Sequence, residues 1–295
     1  EGVKWGLLIG YMLDCATGIM QWYMKPGMRI TSMHSHTNEF GTILAMTIPF
    51  IVYYLVKEEN KIFRLVEGCV LCMQIFCLYQ TGSRGSVASL AAGSVLAVVV
   101  LIFAFRKKFS VKKWIALFVT VGIFAAVCLG GIYVIHEERI GMDKAGGERF
   151  MMIESSLRMW EDHKIAGIGL NRWKDNYYGE YRPEKAVEEN LAMAHNMPIH
   201  FLATAGLIGF AGYVAFFLFV FAGLYKEVKW SKDFYFMMAL LTVYFGFFIH
   251  GLVDATFVNK VSCRIFFALL GYGIMAETAG IMHKAGADEE QAARL

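Results

Sequence analysis

The stretch TGSRG, residues 81–85, places an arginine between two long apolar runs. An unpaired guanidinium in hydrocarbon costs at least about 3 kcal/mol, so Arg84 needs a membrane edge or a ligand. The flanking glycines, Gly82 and Gly85, allow backbone amides to approach a ligand closely. An arginine beside a helix N-terminus suits phosphate oxygens. The alternative is a side chain that reaches lipid headgroups or pairs with a carboxylate.

A second group of basic residues lies in GGERFMMIESSLRMWEDHKIAGIGLNRW, residues 146–173. Its basic side chains are Arg149, Arg158, Arg172, Lys164 and His163. An anionic ligand would explain this concentration of positive charge. The alternative is ion pairing with the acidic residues of the same stretch, which fits Arg158 and Lys164 better than Arg149.

The third candidate is His195, in AMAHNMPIHF just before an apolar run. Histidine is the side chain best suited to take a proton near neutral pH. Asn196 follows it, and Pro198 fits the first turn of a helix. The alternatives are that His195 has only a structural role at the start of the helix, or that His200 is the functional histidine.

Other residues carry weaker signals. His34 and His36 have H-x-H spacing without further metal ligands nearby, and Asp14 and Glu67 are carboxylates without an evident role. All six cysteines lie inside apolar runs, so we expect no disulfides. No D-x-D pattern, P-loop, Rossmann glycine pattern or G-x-S-x-G occurs. We therefore expect no metal and no cofactor.

The elements that position these residues are membrane helices. Apolar residues make up 57% of the 295 residues and charged residues 18%, against about 25% charged in soluble domains. We predict an all-α integral membrane protein, a polytopic bundle of about eight spans forming a single domain, 1–295. The spans are 3–24, 40–56, 62–80, 85–105, 115–136, 198–225, 234–252 and 261–282.

The short connections fix the predicted orientation. Residues 57–64, 106–113 and 226–232 carry three, five and three Lys/Arg and fall on one side, which the positive-inside rule makes cytoplasmic. The large hydrophilic loop 137–197 then lies outside the cytoplasm. Within it, Phe150, Ile153, Leu157 and Trp160 form a helical stripe. This stripe predicts an amphipathic helix on the outer membrane surface or on the bundle.

Taken together, these motifs resemble those of the O-antigen ligase and polymerase family. They are TGSRG at the end of a span, an arginine fourteen residues before HKIAGIGL, and AHN followed by a helix with GLIG. HTNEFGTILAMTIPF also resembles the family's stretch that opens a span. The resemblance covers about residues 30–260. Lys164 stands where the family usually has proline, and Trp160 is displaced along the helix.

The resemblance implies a metal-independent bacterial glycosyltransferase of the inner membrane that faces the periplasm or the cell exterior. It would transfer a glycan from a polyprenyl-diphosphate carrier to an acceptor hydroxyl on a glycan or a lipid-linked glycan. Arg84 and Arg149 would bind the diphosphate and His195 would be the general base. Supporting roles would fall to Ser83, Asn196, Arg172 and Asn38.

Two other classes stay open: a transporter or flippase for lipid-linked glycans, and a non-catalytic assembly protein. Gly/Pro interruptions in paired halves, typical of transporters, are not evident in the sequence. The sequence does not identify the acceptor either, so it does not distinguish a ligase from a polymerase. Partners would be the carrier-linked glycan, the acceptor and membrane lipids, and not nucleic acid. We also expect the chain to begin inside a longer protein with further N-terminal spans.

Overall fold

A computed structural model describes residues 2–105, 110–137, 144–231 and 233–275. Most of the described residues are helical, and none of them forms a strand. Residues 106–109 of the predicted connection 106–113 lie outside these residues, as do the end of the last predicted span, 276–282, and the tail beyond it. The elements are α1 (Gly2–Met24), α2 (Thr37–Lys57), α3 (Lys61–Thr81), α4 (Arg84–Phe105), α5 (Val111–Glu137), α6 (Lys144–Asp162), α7 (Trp173–Asn176), a π-helical turn (Tyr177–Tyr181), α8 (Met197–Trp230), α9 (Phe234–Gly251) and α10 (260–275).

The protein is an all-α polytopic membrane protein. Among the described residues, five helices are long and apolar enough to cross a membrane: α2, α3, α4, α8 and α9. Helices α1, α5 and α10 coincide with the other three predicted spans. The total of about eight membrane crossings stays a prediction.

Helices α2, α4 and α9 pack against one another at the centre of the bundle. Small residues permit the closest approach. A Cβ atom added to Gly93 of α4 would lie 2.7 Å from the backbone nitrogen of Gly246 in α9. Close backbone contact of this kind is a main source of helix association in lipid, where burial of apolar surface gains little.

The two carboxylates without a role in the sequence have structural partners. Glu67 is fully buried in α3, and its carboxylate lies 2.7 Å from the Lys4 ammonium group of α1. Asp14 of α1 lies 2.8 Å from Nε2 of His34 and hydrogen-bonds the Ser32 hydroxyl. These contacts fasten α1 to α3 at one end and the loop 25–36 to α1 at the other.

Helix α6 exists as predicted, and the face that it buries against the protein is not the apolar stripe. Glu148, Met152, Ser155, Ser156 and Met159 are buried, and the helix packs on α8. Of the predicted stripe, Phe150 is 68% exposed and the other three residues are only half-buried. The stripe therefore does not pack on the bundle, and its placement on the membrane surface stays a prediction. Two serines and a glutamate face the protein instead, where their polar groups find partners. Ser155, for example, donates a hydrogen bond to the Tyr181 carbonyl.

Helix α8, predicted as one continuous span, is interrupted at Gly206, whose φ of 63° and ψ of −158° are not helical. The loop 163–169 docks into this break. Leu207 donates its backbone N–H to the Lys164 carbonyl, at 2.9 Å, and Ile168 donates to the Ala203 carbonyl, at 3.0 Å. Backbone groups freed by the break are therefore satisfied by the loop, as an interruption at membrane depth requires.

We expect Gly206→Ala to destabilise the protein, because a Cβ atom there would lie 2.2 Å from the Ile165 carbonyl oxygen. This backbone conformation is also nearly exclusive to glycine and costs about 1–3 kcal/mol in other residues. The measurement is thermal unfolding in detergent, followed by size-exclusion chromatography.

Gly212→Ala in the same helix is the matched control, because nothing lies within 4 Å of its added Cβ atom. Equal unfolding temperatures for the two variants would contradict the docked-loop arrangement.

Candidate functional site

A cavity of about 800 Å³ opens at the end of the bundle where α2, α4 and α8 begin and α9 ends. Its wall combines three segments that are far apart in sequence. They are residues 31–42, residues 190–195, and residues 250–262, which run from the end of α9 to the start of α10. Three histidines line it: His36, His195 and His250.

His195 pairs with Asp254 in the wall of this cavity. Nδ1 of His195 lies 3.0 Å from Oδ1 of Asp254. Both side chains are mostly covered, with 26% of the His195 side chain and 14% of the Asp254 side chain exposed. The ring is thus held through one nitrogen, and Nε2 is left for another partner.

The charge state of Asp254 decides which ring nitrogen carries the proton. Burial raises the pKa of Asp254, but the hydrogen bond from His195 and the nearby histidine rings lower it more. The net pKa of this carboxyl lies below its ordinary value. An ionised carboxylate only accepts hydrogen bonds, so Nδ1 of His195 must donate. In the neutral ring Nε2 is then the basic nitrogen.

His250 connects this pair to the rest of the bundle. Its Nε2 lies 2.8 Å from the Thr42 hydroxyl of α2 and 3.8 Å from Oδ2 of Asp254. Gly85 packs directly on its ring: a Cβ atom at that position would lie 3.2 Å from Cε1. Gly85 therefore makes room for a buried histidine.

The backbone around His195 is held in an uncommon conformation. His195 has a positive φ of 48°, which is unusual for a residue other than glycine. Asn196 fixes the position from the next residue. Its side-chain oxygen accepts the Ile199 N–H and so caps α8, and its amide donates to the Leu252 carbonyl at 2.9 Å. Asn196 is thus the cap, while His195 is directed to Asp254.

Arg84 is the first residue of α4 and is exposed. Ser83 before it is buried; its hydroxyl shares a 2.8 Å hydrogen bond with the Ser86 hydroxyl and accepts the Ser86 N–H at the start of α4. Arg84 comes immediately before Gly85, which contacts His250. The turn thus places Arg84 next to the histidine and aspartate network, although neither Arg84 nor Ser83 lines the cavity itself.

Arg149 is half-buried in α6, and its positive charge acts electrostatically on His250. Within the described part of the chain it has no hydrogen bond or ion pair. Arg158 forms no ion pair with an acidic residue that the structure describes; it donates to the Tyr181 carbonyl at 2.8 Å. Arg172 is exposed at the start of α7, away from the cavity wall.

Asn38 lines the cavity, and its side-chain oxygen accepts a hydrogen bond from Arg29 at 3.1 Å. Arg29 also donates to the Thr81 carbonyl at 2.6 Å, tying the first loop to the α3–α4 turn. Sequence reasoning missed Arg29 altogether and did not pair Asp254 with His195. A basic residue in a loop assigned to the outer side was the available signal for Arg29.

Comparison with known proteins relates the sequence to a known family. Residues 68–214 match the family model described as O-antigen ligase. The matched part contains Arg84, Arg149, His195 and the docked loop with its broken helix; Asn38 and Asp254 lie outside it. The chain belongs to the O-antigen ligase and polymerase family.

One curated relative is the teichuronic acid biosynthesis protein TuaE of Bacillus subtilis (strain 168). It is 22% identical over an alignment of 209 residues, and the match covers 66% of this chain and 41% of the relative. The chain therefore spans less than half of the length of this relative.

Proposed function

We propose that the protein transfers a glycan from a polyprenyl-diphosphate carrier to an acceptor hydroxyl, without a metal, with His195 as the general base. The observation that carries the proposal is the His195–Asp254 pair in the wall of an 800 Å³ cavity, 3.0 Å apart. Family membership supports the same reaction class. Ligase and polymerase activity differ only in the acceptor.

In this mechanism Nε2 of His195 takes the proton of the acceptor hydroxyl. The hydroxyl oxygen bonds to the anomeric carbon of the donor glycan as the bond from that carbon to the diphosphate oxygen breaks. Asp254 accepts the Nδ1 hydrogen bond, keeps Nε2 free to act as the base, and stabilises the positive ring that forms. It is a positioning residue, since it acts through His195.

The leaving polyprenyl diphosphate gains negative charge as the bond breaks. Arg84 and Arg149 would stabilise this charge, since cationic groups that are already in position stabilise a transition state most where negative charge develops. Two features support this role: Arg149 has no ion pair within the described residues, and Arg84 immediately precedes Gly85, whose backbone lies against the His250 ring. The substrate would enter from the side, with its diphosphate near the α3–α4 turn and its lipid in the membrane.

The cavity would face the periplasm or the cell exterior. It lies at the start of α2, whereas the basic connection 57–64 follows the end of that helix. The positive-inside rule assigns the basic end to the cytoplasm.

His195→Ala should reduce turnover by about 10²–10⁴-fold, the usual contribution of a general base. Asp254→Asn should reduce it less, because the base remains but loses its orientation. The double variant should be about as slow as His195→Ala alone, because the two residues act as one unit. The measurement is product formation by purified full-length protein from a polyprenyl-diphosphate-linked glycan.

A purely structural role for His195 predicts that His195→Gln stays active, since glutamine hydrogen-bonds but does not act as a base. A substantially active His195→Gln variant, or fully additive losses in the double variant, would rule out the proposed pair.

Arg84→Lys and Arg149→Lys should each raise KM for the lipid-linked donor by about tenfold or more, because an ammonium group does not reproduce the paired hydrogen bonds of a guanidinium. Arg64→Lys, at the other end of α3, is the matched control and should leave KM unchanged. The measurement is initial rate against donor concentration. Normal KM values for both Arg84→Ala and Arg149→Ala would remove the arginines from the diphosphate site.

Orientation can be tested by labelling. In a variant without native cysteines, Lys185→Cys should react with a membrane-impermeant thiol reagent in intact cells, because Lys185 is exposed in the outer loop. Glu59→Cys, exposed between α2 and α3, should react only after the cells are lysed. For a Gram-negative host the outer membrane must be permeabilised first. The reverse pattern would invert the orientation.

A further inference from the structure

Asn38 and Glu39, in the first turn of α2, form a stretch of the cavity wall whose hydrogen-bonding groups are only partly used. Glu39 lines the cavity and is 7% exposed. Its Oε2 accepts the Ser35 N–H at 3.1 Å, a common bond of a glutamate in the first helical turn. Its Oε1 has no hydrogen-bond partner among the described residues and is not one of the fully covered polar atoms. Buried carboxylates normally have partners, so this oxygen is open to a ligand that donates a hydrogen bond.

The side-chain amide of Asn38 offers a donor beside this acceptor. Asn38 is half-buried and lines the same cavity, and its Oδ1 accepts a hydrogen bond from Arg29 at 3.1 Å. Because a guanidinium group only donates hydrogen bonds, Arg29 fixes the orientation of the amide and turns Nδ2 away from itself. Nδ2 has no partner within the described part of the chain and is not fully covered either. The wall therefore presents a donor and an acceptor on neighbouring residues.

These two side chains lie between the two parts of the proposed site. On one side, Arg29 also donates to the Thr81 carbonyl at 2.6 Å, in the turn assigned to the carrier diphosphate. On the other side, Thr42 lies one turn after Glu39 on α2. Its hydroxyl is 2.8 Å from Nε2 of His250, which lies beside the carboxylate that orients the base. A sugar bound here would lie between the diphosphate and the base, where the reacting anomeric carbon must be.

The combination of groups restricts the chemistry of the ligand. The Glu39 carboxylate repels an anion such as a phosphate. An ammonium group would satisfy Oε1 of Glu39, but it has no lone pair to accept a hydrogen bond from the Asn38 amide. A hydroxyl group both donates and accepts, so the hydroxyl groups of a sugar ring meet both requirements.

We propose that Asn38 and Glu39 form the subsite for the sugar attached to the carrier diphosphate. Oε1 of Glu39 accepts a hydrogen bond from a ring hydroxyl, and Nδ2 of Asn38 donates one to the same or the adjacent hydroxyl oxygen. The protein would therefore select its donor by a hydroxyl group on that sugar. This inference rests on the proposed transferase function and adds a specificity determinant to it.

The test compares the host's own polyprenyl-diphosphate-linked glycan with synthetic counterparts that each lack one ring hydroxyl on the carrier-linked sugar. Wild-type protein should lose about tenfold in kcat/KM with at least one of these deoxy donors, the effect of one hydrogen bond to a charged group. Glu39→Gln keeps an oxygen for the Ser35 N–H and places an NH₂ group where Oε1 was. It should show the same loss with the complete donor and no further loss with that deoxy donor, because both changes remove one bond.

Asn38→Asp should behave in the same way, because aspartate keeps an oxygen for Arg29 but has no N–H to donate. Glu59→Gln, exposed beyond the other end of α2, is the matched control and should leave kcat/KM unchanged. A purely structural role of Glu39 predicts that Glu39→Gln either stays fully active or loses the same factor with every donor. Either result would refute the subsite.

Binding of the same donors to the full-length protein in nanodiscs, without an acceptor, separates this inference from the transferase proposal. A preference for the complete donor that depends on Glu39, without any transfer when an acceptor is added, would support the subsite and refute the enzyme. Transfer that does not depend on Glu39 would refute the subsite and leave the transferase proposal intact.

Discussion

The hydrogen bond between Asp254 and His195 is the interaction on which the rest of the site depends. Asp254 follows α9 and His195 precedes α8, so the bond joins two segments 59 positions apart. His250 lies beside the same carboxylate and reaches Thr42 of α2, while Gly85 of α4 packs on its ring. A single ionised carboxylate thus organises the ends of four helices. Covered from solvent, it acts more strongly on its neighbours than an exposed one would.

The broken helix α8 gives this arrangement a rigid support. The loop 163–169 fills the break at Gly206 with backbone hydrogen bonds, and it leads directly from α6, which carries Arg149. A Cβ atom at Gly167 would lie 2.5 Å from the Ala205 nitrogen, so the contact needs glycine on the loop as well as on the helix. The loop glycine, Gly167, and the helix glycine, Gly206, are therefore both needed for this contact. The contact sets the position of α6 relative to the start of α8, which His195 precedes.

The sequence predicted the helical membrane class, the helices themselves and the family. Runs of about 20 apolar residues have few structural alternatives in lipid, and backbone hydrogen bonding there strongly favours helices. It was less informative about α6, whose apolar stripe lies away from the protein while Ser155 and Ser156 are buried. Local periodicity reports which residues avoid water, and in a membrane protein it does not tell protein from lipid.

The sequence by itself determined the composition of the membrane spans, the motifs TGSRG, HKIAGIGL and AHN, and His195 as a candidate base. Only the tertiary structure decided that Asp254 is the partner of His195, that Arg29 holds Asn38, and that the loop at Gly167 fills the break at Gly206. These pairs join residues from 9 to 59 positions apart, the two ends of that range being the hydrogen bonds of Arg29 to Asn38 and of His195 to Asp254. Spacing along the chain does not predict such contacts, because the two residues of each pair are brought together only when the helices and loops pack.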